Sequence, residues 1–247
     1  MKNSKTILKL TSLSLFIALG VVISPILRFE GMCPMAHFIN ILCSVLMGPW
    51  YSLICAMLIG IIRMLLMGIP PIAITGAVFG ALLSGVFYRL SKGKILCAVI
   101  GEVIGTGIIG AIVSYPVMTY LWGKEGLSWL FYVPSFIAGT LIGGSIAFVF
   151  LRKLANTGML TEIQKKLSDQ SFEDRSSVLS NTVSIASFGV IAYMVIKILA
   201  GIFNLTDVLW DFISYGAIVF FIITALIYFI NNKGKENGNR EDKESFK

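Results

Sequence analysis

The sequence predicts an all-α integral membrane protein, and three observations carry that reading. The 247 residues are 56% hydrophobic and 13% charged, where a soluble domain carries about 25% charged residues. The charges are not spread evenly but collect in short clusters between long apolar runs. Residues 130–151, for example, hold no ionisable group other than Tyr132. A run of about 18 or more such residues, rising 1.5 Å each, crosses a ~30 Å hydrocarbon core. Backbone groups in lipid have only one another as partners, which makes helices the expected form.

Eight candidate spans follow in order: 7–27, 35–47, 51–67, 72–90, 95–121, 129–152, 182–203 and 209–230. The first comes after Lys2, Lys5 and Lys9, as a signal peptide would. It is long and no A-x-A-like site ends it, so it reads as a retained helix. The second is short and ends at the turn signal Gly48-Pro49, which leaves a full crossing open. The fourth begins after Pro70-Pro71, where a helix can start but not continue backwards. These spans divide the chain near residue 155. Residues 1–155 form a six-span unit with short loops, and 156–181 are polar. Within that linker Leu160, Ile163 and Leu167 recur at helical spacing, predicting a short amphipathic helix on the membrane surface. Two plainer spans occupy 182–231. The charged residues 232–247, nearly free of apolar side chains, are expected to be a disordered tail.

The formal net charge of +7 would suggest nucleic acid in a soluble protein. Here no RNA- or DNA-binding motif occurs, and the charge reads as topology, because Lys and Arg concentrate on cytoplasmic loops. With the N-terminus inside, the inner segments hold 16 of the 20 Lys and Arg, while the outer loops hold Arg28 and Lys124. Arg63 and Lys197 fall within spans, and Asp207 and Asp211 mark the outer end of the last two. Both termini are therefore expected on the cytoplasmic side of the cell membrane. Cys33, Cys43, Cys55 and Cys97 form no CxxC pair; all but Cys33 lie in apolar runs, as inert small hydrophobes do.

Several residues stand out for chemistry. Gly76-x-x-x-Gly80, Gly101-x-x-x-Gly105 and Gly139-x-x-x-Gly143 let helix backbones approach closely in lipid. Such stripes serve packing, and close packing can also frame a pocket. Glu102 and Arg63 are charges within spans, and a charge at mid-bilayer costs at least about 2.5–3.5 kcal/mol, so it is usually buried and paired. Helical rise puts Arg63 about 18 Å and Glu102 about 10 Å above the inner surface. One reading pairs the two; the other makes Glu102 an acceptor for a bound solute. Lys197, two turns from a span end, can snorkel outward. The loop RFEGMCPMAHFIN places Glu30, His37 and Asn40 together at the outer face, with His37 and Asn40 on one helix face. They are either local hydrogen-bonding groups or polar contacts in a solute pocket. A lone histidine makes a poor metal site, so neither metal nor cofactor is expected. Tyr115, Tyr120 and Trp122 end the fifth span, where an aromatic belt belongs. No GxxxxGK[ST], HExxH or GxSxG motif occurs, which removes an ATPase site of the chain's own and disfavours a membrane enzyme.

The stretches CPMAHFINILCSVLMGPWYSLICAMLIGIIR, GAVFGALLSGVFYRL and GEVIGTGIIGAIVSYPV, in that order, resemble the ThiW family over roughly residues 7–155. That resemblance implies a six-helix S component, the substrate-binding subunit of an energy-coupling-factor importer. Such a subunit captures hydroxyethylthiazole, a thiamine precursor, from outside. It implies partners as well: a transmembrane T subunit and two ATPase subunits. In many relatives a small-residue AxxxA on the first helix docks the T subunit, and Ser14-x-x-x-Ala18 is its nearest match here. His37, Asn40, Glu102 and Tyr115 match the family blocks; with Glu30 and Arg63 they are the candidate substrate contacts, on chemical grounds. The two C-terminal spans have no counterpart in the resemblance. Rival readings are an S component for another vitamin precursor and a solitary secondary transporter in which Glu102 carries a proton.

Overall fold

A computed structural model describes residues 2–26, 28, 32–168, 170–172, 177–203 and 208–245, with side chains described between Lys5 and Lys233. Glu30 and Asp207 lie outside the described residues. Seven described helices have the length and apolarity to cross a membrane: Lys5–Ile26, Pro49–Met67, Ile72–Leu90, Ile95–Leu121, Val133–Asn156, Val178–Ile202 and Val208–Lys233. The remaining predicted span is the 14-residue helix Pro34–Met47, whose rise of about 21 Å falls short of a ~30 Å core.

The chain forms two compact units, Met1–Asp174 and Arg175–Lys247. The first contains α1 (Lys2–Ile26), α2 (Pro34–Met47), α3 (Pro49–Met67), the short α4 (Ile72–Thr75), α5 (Val78–Leu90), α6 (Ile95–Glu102), α7 (Ala111–Pro116), α8 (Val133–Asn156) and α9 (Met159–Leu167). α6 and α7 belong to one continuous helix, Ile95–Leu121, in which π-helical segments occupy Val103–Gly110 and Val117–Leu121. The second segment begins just after Pro116, which has no N–H for the helical ladder and crowds the preceding turn.

α2 is the centre of this unit. It touches α1, α3, α5, α6, α8 and α9, and buries twelve of its residues. Pro34 and Pro49 start α2 and α3, where a missing N–H costs nothing. Gly48 joins the two helices at φ 100°, a conformation that favours glycine. The polar groups along α2 are satisfied inside the protein: Ser44 Oγ bonds Ser84 Oγ at 2.7 Å, and Ser52 Oγ donates to the Asn40 carbonyl at 2.9 Å.

The linker differs from its expected form. α9 is a helix, as the Leu160–Leu167 spacing predicts, but its buried face meets protein rather than lipid. Leu160, Gln164 and Leu167 are buried, against α1, α2 and α8. Gln164 Nε2 donates to the Val45 carbonyl and to Tyr88 Oη, both at 2.9 Å, and its Oε1 accepts from Phe172 N at 3.0 Å. The first unit thus runs to Asp174, past the division expected at residue 155.

In the second unit α10 (Val178–Ile202) and α11 (Val208–Ser245) pair antiparallel. Asn181 Nδ2 donates to Tyr228 Oη at 3.2 Å, the Tyr193 and Tyr215 rings lie 5.4 Å apart, and Lys197 Nζ meets Asp211 Oδ1 at 2.8 Å. Lys197, expected to snorkel, has an ion-pair partner. α11 continues as helix to Ser245, where composition predicts a disordered tail from residue 232.

Candidate binding site

The site is built on Glu102, at the junction between α6 and the first π-helical segment. Glu102 is wholly buried. Its Oε1 gathers three side chains: His37 Nδ1 at 3.0 Å, Asn40 Nδ2 at 3.1 Å and Thr106 Oγ1 at 3.1 Å. With a carboxylate oxygen as acceptor, Nδ1 is the donating ring nitrogen of His37. Asn40 Nδ2 also lies 3.4 Å from the Ala77 carbonyl. α2 supplies His37 and Asn40 from one face, as their spacing of three predicts, and Thr106 follows Glu102 by four.

The glycine stripes make this convergence possible. A Cβ on Gly80 would collide with Thr106 Oγ1 and the Glu102 carboxyl group, and one on Gly143 would collide with the Pro34 carbonyl and His37 Cβ. The stripes serve packing and frame the polar cluster at once.

The ion pair between Glu102 and Arg63, one of two sequence readings, is not formed. Glu102 takes His37, Asn40 and Thr106 instead. Arg63 is 5% exposed; its Nη2 reaches Cys33 Sγ at 3.6 Å, and its Nε has no hydrogen-bond partner. Axial depth had allowed the pair, but depth says nothing of the direction in which each side chain leaves its helix.

Beside the cluster lies a cavity of about 370 Å³, within the range of small-molecule sites. His37 and Thr106 form a polar part of its wall, and Ile72, Ala73, Gly76 and Ala77 line another part. Met118, Phe131, Tyr132 and Phe136 give it a largely apolar and aromatic side, while Arg28, Arg63 and Lys124 bring positive charge. Asn40 and Glu102 stand one layer behind this wall and hold His37 and Thr106 in place. Tyr115 does not line the cavity; its ring packs on Trp129 with centroids 4.5 Å apart. Tyr120 and Trp122 are exposed, as members of an interfacial aromatic belt would be.

The sequence reading did not single out Thr106, Met118, Tyr132 or Phe136. Thr106 carried a signal, lying four residues after a buried acid within the quoted GEVIGTG block. Tyr132 and Phe136 are likewise four apart on one helical face.

With this geometry in view, comparison with known proteins adds one match. A family model described as thiamine-precursor transporter protein (ThiW) matches residues 10–157. No curated protein and no solved structure matches the chain.

Proposed function

The chain belongs to the ThiW family of thiamine-precursor transporters, and on that premise we propose that it is the S component of an energy-coupling-factor importer in the cell membrane. It captures a thiazole precursor of thiamine, with hydroxyethylthiazole as the reference ligand. The observation that carries this reading is the cavity itself: aromatic walls for a flat ring, and His37 and Thr106 oriented by a buried carboxylate for the polar substituents. Hydroxyethylthiazole has about nine heavy atoms, so at a ceiling of about 1.5 kcal/mol per atom its binding at nanomolar affinity demands an enclosed site. The distribution of Lys and Arg supports cytoplasmic termini, which turns the cavity end outward.

No phosphate-binding motif energises the chain, so uptake draws on a T subunit and two ATPase subunits. Ser14 and Ala18 are exposed on α1 and line an open groove with Ile17, Val21, Val22 and Ile62. Small side chains there allow a partner helix to come close. We expect Ala18→Trp to abolish uptake in cells while leaving ligand binding to the purified protein intact. Uptake that persists without the T and ATPase subunits would instead favour a solitary transporter.

A further inference from the structure

We infer that the cavity takes its precursor as an anion, with a phosphate or carboxylate group held by the Arg63 guanidinium. The inference rests on the reading of this cavity as the precursor site and names the charge of what it binds.

Arg63 is the starting point. A guanidinium stays protonated and presents five donors in a planar fork. This one is 95% buried within a span, since 5% of it is exposed, and it lines the cavity. Its hydrogen bond among the described residues goes to Cys33 Sγ, a weak acceptor, at 3.6 Å. Its Nε has no partner. Charges at such depth pair with a countercharge or face a solute path. The buried carboxyl group that might have served, Glu102, does not meet Arg63: its Oε1 gathers His37, Asn40 and Thr106, and its Oε2 has no hydrogen-bond partner.

The rest of the wall points the same way. Arg28 and Lys124 line the same cavity, and no described Asp or Glu does. Tyr132 also lines it, and its buried hydroxyl has no partner. Thr106 has already directed its proton to Glu102. The wall is therefore rich in donors and positive charge and poor in acceptors. A neutral alcohol would leave the guanidinium charge uncompensated. An oxyanion matches the fork with two parallel charge-assisted hydrogen bonds and supplies the missing countercharge. A phosphate ester of the precursor alcohol and a thiazole carboxylate share this chemistry.

Calorimetry on the purified full chain tests it with three probes: hydroxyethylthiazole, its phosphate ester and a thiazole carboxylic acid. One of the two anions should bind at least about tenfold tighter than the alcohol, and the better one identifies the oxyacid. Arg63→Gln should remove that preference, and Arg63→Lys should retain part of it, because a point charge keeps attraction but loses the fork. Thermal melting checks that each variant is folded; the comparison of ligands on the unaltered chain needs no variant. Tighter binding of the alcohol than of both anions overturns the anion assignment and leaves the precursor reading standing. Binding of none of the three by a stable, monodisperse protein overturns both.

Discussion

The two units of this chain meet the same requirement, stable helices in lipid, with very different use of polar residues. The unit Met1–Asp174 buries a histidine, an asparagine, a glutamate, two arginines and a glutamine. In Arg175–Lys247 the buried polar side chains among the described residues are Ser187 and Ser214. There, polar pairing connects the helices through Asn181 and Tyr228 and through Lys197 and Asp211, while apolar and aromatic packing does the rest. A two-helix pair needs only close packing to persist in a bilayer. Buried ionisable groups cost free energy there, and among the described residues they concentrate in the first unit.

If that contrast is right, the largest effect belongs to Glu102. Glu102→Ala removes the shared acceptor of three buried donors and should destabilise the protein by about 3–5 kcal/mol, the scale of breaking a buried pair. Thermal melting in detergent measures it. Arg63→Met should shift the melting by the same amount with Glu102→Ala as without it, because Arg63 is not the partner; a larger gain beside Glu102→Ala would restore the ion pair that the structure replaces.

A smaller effect separates the two ends of the linker. A chain ended after Asn156 loses α9, and with it the Gln164 bonds to the Val45 carbonyl and Tyr88 Oη. Polar groups left unsatisfied in this way cost about 1–3 kcal/mol. A chain ended after Asp174 keeps these bonds and should match the full chain in ligand affinity and in the melting of its first unit. Equal melting of the two shortened chains would return the boundary to residue 155.

The smallest effect is expected in the second unit. The Asp211 side chain is 55% exposed in its ion pair with Lys197, and exposed pairs contribute about 0–1 kcal/mol. Asp211→Asn should therefore scarcely move the melting temperature. A loss approaching that of Glu102→Ala would erase the contrast between the units.

Most of the helical layout was legible in the sequence because lipid imposes a length and a composition on each span. The shortness of the second span was legible too, from Gly48-Pro49. Within the site, His37, Asn40 and Glu102 announced themselves as polar residues in apolar surroundings. Which of them meet was not legible. Periodicity puts His37 and Asn40 on one face, but only the packing of α2 against α6 brings that face to Glu102. Tyr115 shows a related limit: its position at a span end is equally compatible with a pocket wall and with the stack on Trp129 that it forms. α9 shows the same limit from another side, since an amphipathic pattern announces an apolar face without saying whether lipid or protein covers it.

The length of α2 has a consequence for how the protein is made. A 14-residue helix carrying His37 and Asn40 is too short to hold itself across a bilayer, since its rise of about 21 Å leaves part of the hydrocarbon thickness unspanned. α3, with 19 residues, meets the length requirement, and Gly48 folds the two helices into a hairpin. On length alone, α2 depends on α3 for its place in the bilayer, and the expected unit of integration is the α2–α3 hairpin. The asparagine and histidine then have α3 as their nearest neighbour in sequence, while the carboxyl group that receives them lies 62 and 65 residues further along the chain.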